Sequence, residues 1–98
     1  MKYNASLFRF NNGHSEFELI DKKTITIQDK RITTIKKIFN ETFQINRPKM
    51  SLSNRTFIIL LESCYSNTYS FYIINTDENN KAVDAINIGR SKNIKIES

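Results

Sequence analysis

The sequence predicts an α+β fold, a mostly antiparallel β-sheet of hairpins with one main amphipathic helix packed on one face, and three features carry that expectation. Two alternating runs flank an Asn12-Gly13 turn. One segment from Ile32 to Phe43 repeats apolar residues at helical spacing, and two apolar runs, Phe57 to Leu61 and Phe71 to Ile74, have the length of strands.

Asn-Gly is the strongest short hairpin signal, so the first hairpin joins Tyr3 to Phe10 with Ser15 to Ile20. A two-residue turn there pairs Phe10 with Ser15, Arg9 with Glu16, Phe8 with Phe17, Leu7 with Glu18 and Ser6 with Leu19. Phe8, Phe10, Phe17 and Leu19 then share one face, with Arg9 opposed to Glu16 on the other. Asp21-Lys22-Lys23 breaks the pattern and leaves Thr24 to Ile27 as a short strand or the approach to the helix.

In the helix, steps of 100° from Ile32 place Ile32, Ile35, Ile38, Phe39 and Phe43 on a stripe roughly 140° wide, which faces a core. Thr26 or Asp29 caps its start, and it ends before Pro48. Lys30 and Lys37 fall on the solvent face and Lys36 on its flank. Arg31 lies beside the stripe, where it must snorkel or bind something.

Residues 44 to 55 read as a long loop around Pro48. Arg47, Lys49, Met50, Leu52 and Arg55 make it a candidate loop for a protein partner. The run Phe57 to Leu61 reads as a central strand covered on both faces. Ser66-Asn67-Thr68 turns it back into Tyr69 to Ile74, and Asn75 to Asn80 is a polar loop. Residues 82 to 88 suit a short helix ended by Gly89. They also suit a strand in a hairpin with 93 to 96 across Gly89 to Lys92, and the alternation of Ile86, Ile88, Ile94 and Ile96 favours strands. The order hairpin, helix, hairpin, further strand matches β-grasp-like folds in element order alone.

A chain of 98 residues has room for one core, so residues 1–98 are expected to form a single domain without a deep cleft. No apolar run approaches the roughly 20 residues that cross a bilayer. The lone Cys64 and the absence of a signal-like N-terminus point to a reducing, cytoplasmic setting. Richness in Asn, Ile and Lys is what AT-rich codons produce, as in many phages and mobile elements. The sequons at Asn4, Asn40 and Asn54 occur at the rate chance predicts for this composition.

Catalytic chemistry finds little to work with. His14 at a hairpin tip and Cys64 on another element make a poor nucleophile and base, and Cys64 reads as a small buried apolar side chain. One His and one Cys cannot supply a zinc site, and Asp77-Glu78 is a solvated turn. Glu16 and Glu18 share a strand face, but Arg9 opposite Glu16 makes an exposed ion pair the simpler account. Isolated Gly13 and Gly89 exclude a phosphate loop. The expectation is therefore a chain without enzymatic activity, cofactor or metal.

Two binding readings remain. The first is a protein-binding module, docking on a protein partner or on itself as a homodimer through surplus apolar side chains, a strand edge or the 44–55 loop. A narrower form makes it a phage or mobile-element inhibitor of a host defence complex such as a CRISPR effector. The second is sequence-independent nucleic-acid binding, since the net charge is +5. Its contacts would be Lys22, Lys23, Lys30, Arg31, Lys36 and Lys37 with Arg90, Lys92 and Lys95, and Tyr65, Tyr69 and Tyr72 could stack bases if exposed.

Overall fold

The computed structural model describes residues 1–11, 15–43 and 55–92, with the backbone alone at Asn11 and at 90–92. Five strands, β1 (Lys2–Asn11), β2 (Glu16–Thr26), β3 (Thr56–Ser63), β4 (Thr68–Thr76) and β5 (Ala82–Lys92), form one sheet in the order β2-β1-β3-β4-β5. Every neighbouring pair is antiparallel. Helix α1 (Ile32–Lys37) continues into a π-helical turn, Ile38–Thr42. The α+β class and the element order agree with the sequence, whereas the β-grasp ordering is not confirmed. The chain leaves β2, crosses one face through α1 and returns in β3. β2 and β3 thus run the same way with β1 between them, a split β-α-β unit.

The first hairpin pairs two residues out from the expected register: Phe10 faces Phe17, Arg9 faces Glu18 and Phe8 faces Leu19. A slip of two keeps every side chain on its face, because strands repeat every two residues. The four Phe and Leu side chains therefore share a face as expected, but the ion pair is Arg9 to Glu18, at 2.7 Å, and not to Glu16. The rings of Phe10 and Phe17 meet edge to face at 5.1 Å, a contact the tighter turn would forfeit.

Asp21-Lys22-Lys23 does not end the strand. Ile20 is an extra residue between the pairs Phe8–Leu19 and Leu7–Asp21, and this β-bulge lets β2 run on to Thr26. Before the bulge, Phe17 and Leu19 point away from the helix. After it, Lys23 and Ile25 point toward it, opposite the buried Ala5 and Tyr3. Thr26 is accordingly a strand residue and no cap.

The helix begins at Ile32, after Lys30, so helical periodicity does not govern Lys30. That side chain lies on the sheet, its ammonium 5.4 Å from the centre of the Tyr3 ring and 3.2 Å from Ser70 Oγ, instead of on the solvent face. Asp29 Oδ1 accepts the Arg31 N–H at 3.0 Å and the Thr34 hydroxyl at 2.6 Å, which orders the entry to the first turn. Ile35, Ile38, Phe39 and Phe43 are buried against Leu7, Phe57, Ile59 and Ile74, with Phe39 and Phe57 ring centres 5.1 Å apart. Ile32 sits at the rim and is half exposed. In the π-turn, Asn40 Oδ1 accepts the Ala82 N–H at 2.8 Å and ties the helix to the start of β5. In the same turn, Lys23 Nζ donates to the Thr42 carbonyl at 2.8 Å, where helix carbonyls lack partners.

β3 is the central strand, as expected, but only its Phe57-Ile59-Leu61 side lies under the helix. Residues 82 to 92 form one strand with no turn at Gly89 to Lys92, because two bulges, at Val83 and Ile88, keep β5 in step with β4. Ile94 and Ile96 lie outside the described residues. Cys64 is exposed instead of buried: it follows the last residue of β3, donates its N–H to the Lys2 carbonyl at 3.0 Å, and no layer covers it there.

Phe39 joins the helix to the central strand, so Phe39→Ala should lower unfolding free energy by about 3–5 kcal/mol, read from the denaturant midpoint at unchanged slope.

Candidate docking face

Pairing across five strands builds a face that the helix does not touch. One row runs Leu19, Phe8, Ile58, Ile73 and Ile86, from edge to edge of the sheet. On one side of it lie Phe10 and Phe17, and on the other Leu60 and Phe71, with Tyr69 beyond and stacked edge to face on Phe71 at 5.2 Å. At the two edges, Leu19 is 56% and Ile86 49% exposed, while the interior members Phe8, Ile58, Leu60, Phe71 and Ile73 are half-buried. A continuous apolar surface spanning a whole sheet is larger than the scattered apolar residues of an ordinary monomer surface.

Charges mark the margins of this face. Lys22 stands on β2 at the level of Ser6 and Leu60, and Asp84 on β5 at the level of Asn75 and Thr56, with Glu62 and Lys2 on the remaining border. Neither Lys22 nor Asp84 forms an ion pair with another described residue. The face thus carries two positive and two negative charges, and the excess that makes the chain +5 lies elsewhere.

The other expected contacts do not converge. Lys23 and Lys30 are engaged as described above, Arg31 holds Asp29 at 3.1 Å, and Lys37 lies 4.0 Å from Glu41. Lys36 is half-buried on the last turn of α1. Arg90 and Lys92 belong to β5, while Lys95 and the loop residues Arg47, Lys49, Met50 and Leu52 lie outside the described residues. Arg55 immediately precedes β3, its carbonyl accepting the Thr76 N–H at 3.0 Å. Of the tyrosines, Tyr65 is exposed, but Tyr72 is buried, with its hydroxyl directed to the Lys30 carbonyl, and cannot stack a base.

Lys30 Nζ beside Ser70 Oγ has the composition of a serine-lysine dyad, a pairing that no sequence pattern announced. Ser70 is 1% exposed beneath the chain entering the helix, so a substrate carbonyl has no path to its hydroxyl. Among the described residues no three His, Cys, Asp or Glu side chains are grouped to hold a metal ion, and no helix is long and apolar enough to cross a membrane. No family model, curated protein or solved structure matches the chain.

A cleft of about 340 Å³ lies between the end of β2 and the helix, lined by Gln28, Asp29, Thr34, Lys37 and Glu41 among others. Its most perturbed group is Asp29. Hydrogen bonds from the Arg31 guanidinium, the Thr34 hydroxyl and the Arg31 N–H hold its carboxyl well below the usual carboxylate range. Those oxygens are engaged locally, and the other acid of the lining, Glu41, lies 4.0 Å from Lys37 Nζ. Because the folded value is depressed, this contribution to stability is present above the unfolded pKa of about 3.9 and is lost as pH falls toward the folded value. Asp29→Asn should therefore flatten the fall of the melting temperature between pH 4 and pH 2, measured by circular dichroism.

Proposed function

We propose that this chain is a non-enzymatic protein-binding module whose contact surface is the open face of its sheet. The observation that supports the reading is the uninterrupted row from Leu19 to Ile86, five apolar side chains on five strands with no layer over them among the described residues. Burying such a face gains roughly 25 cal/mol per Å², and apolar burial is the main driving force of most protein association. Flat sheet faces suit another sheet or an amphipathic helix and offer no concavity for a small molecule. An inhibitor is one form this takes. In a small protein with the Asn-, Ile- and Lys-rich composition that AT-rich codons of phages and mobile elements would produce, the target would be a host defence assembly such as a CRISPR effector, met in the cytoplasm.

The alternative is sequence-independent binding of nucleic acid, which the net charge of +5 favours. Arg9, Lys23, Arg31 and Lys37 each have an acid within 4.0 Å, which divides this part of the basic surface into local pairs. Anisotropy with labelled DNA and RNA should show no binding at about 50 mM salt, and tight binding that collapses by about 200 mM would favour the alternative.

The protein-binding reading is tested by sedimentation velocity and apolar-dye titration on one sample. The expected result is either a monomer that takes up dye or a species heavier than 11.5 kDa, and a monomer of that mass that takes up no dye would overturn it.

A further inference from the structure

From the placement of charge around the open face, and resting on the protein-binding reading above, we infer that its occupant is a second copy of this chain, related by a two-fold axis over Ile58. Lys22 lies two strands to one side of β3, at the level of Leu60, and Asp84 lies two strands to the other side, at the level of Thr56. Ile58 is midway between them in both directions. A two-fold axis in the plane between two such faces, passing over Ile58 and bisecting the line from Lys22 to Asp84, sets Lys22 against Asp84 of the partner subunit. The same operation sets Asp84 against Lys22 of the partner subunit, so one isologous contact satisfies both charges. Opposite charges at the two corners of an apolar face, neither of them paired with another described residue, make the face complementary to itself.

Area and net charge agree with that occupant. Five strands at about 4.8 Å spacing and an eight-residue β3 at about 3.3 Å per residue give a projected face of roughly 600 Å². Two copies then bury at least about 1,200 Å², the lower bound of specific interfaces, before side-chain relief is counted. The face is neutral in its border charges although the chain carries +5, so its copies do not repel one another there. Contact with its own copy also removes the unpartnered apolar surface that would otherwise invite aggregation.

Sedimentation equilibrium of the full chain over a concentration series, paired with dye titration, decides the matter. The expected result is a reversible dimer that excludes dye. Lys22→Asp and Asp84→Lys should each weaken it about tenfold by turning two attractions into repulsions, and the double variant K22D/D84K should recover most of the loss. A one-to-one mixture of the two single variants should form a mixed dimer with both ion pairs restored and associate more tightly than either alone. Ile58→Lys should abolish association while circular dichroism shows the fold intact. A monomer that takes up dye at all concentrations overturns the second copy as occupant but leaves the face free for a foreign protein. A monomer that takes up none overturns both readings. A dimer indifferent to Ile58→Lys and to both charge reversals joins through another surface and overturns this inference.

Discussion

β3 directs Phe57, Ile59 and Leu61 toward the helix and Ile58 and Leu60 away from it, and from the middle of the sheet neither set can reach an edge. A strand so placed requires apolar neighbours on both sides, and β1 and β4 supply them: Leu7 and Ile74 under the helix, Phe8 and Ile73 opposite. Among the described residues, one helical segment is available to form a second layer. It docks through Phe39 on Phe57, and its C-terminal turn is fastened to both sides of the sheet, by Asn40 to Ala82 of β5 and by Lys23 of β2 to Thr42. The uncovered face follows from the amphipathic economy of the chain: more apolar strand surface than its helix can shelter.

Much of this was legible in residue order. Alternation in the first hairpin, the stripe from Ile35 to Phe43 and the strand character of Phe57 to Leu61 each follow from local periodicity, which survives a register slip of two residues. What was not legible depends on events without a periodic signature. The bulge at Ile20 looks like the end of a strand, because Asp21-Lys22-Lys23 reads as a break when the phase change is unseen. Lys30 and Cys64 were misplaced for a related reason: each lies one or two residues beyond an element whose true boundary decides its surroundings. At Gly89 a turn signal stood where the strand continues, since in-strand glycine and turn glycine look alike without the partner strand.

The candidate face divides in the same way. That apolar side chains should be left over opposite the helix was visible in the two runs 57–61 and 71–74. Which others join them, Leu19 from one edge and Ile86 from the other, required the pairing of five strands. Lys22 and Asp84 stand far apart in sequence, and no spacing rule relates them. Their relation exists only after β1, β3 and β4 have been laid between them. The basic residues illustrate the reverse: grouped in sequence around the helix, they disperse in space, with Lys23, Arg31 and Lys37 beside acids, Lys30 on the sheet and Lys22 on the opposite face.

The extra residue at Ile20 makes β2 a strand of two allegiances, its first half contributing to one surface of the protein and its second half to the other. Length in this strand is therefore not neutral. Loss of Ile20 itself would only remove the bulge and leave both halves facing as they do, whereas loss or gain of one residue within either half would turn Phe17 and Leu19 inward or Lys23 and Ile25 outward, and one of the two surfaces would lose its edge. Changes of two residues would preserve both phases. Away from Ile20, length variation in β2 should accordingly come in even steps, with the hairpin tip absorbing the difference, and an odd step there should mark a chain whose sheet presents a different surface to its surroundings.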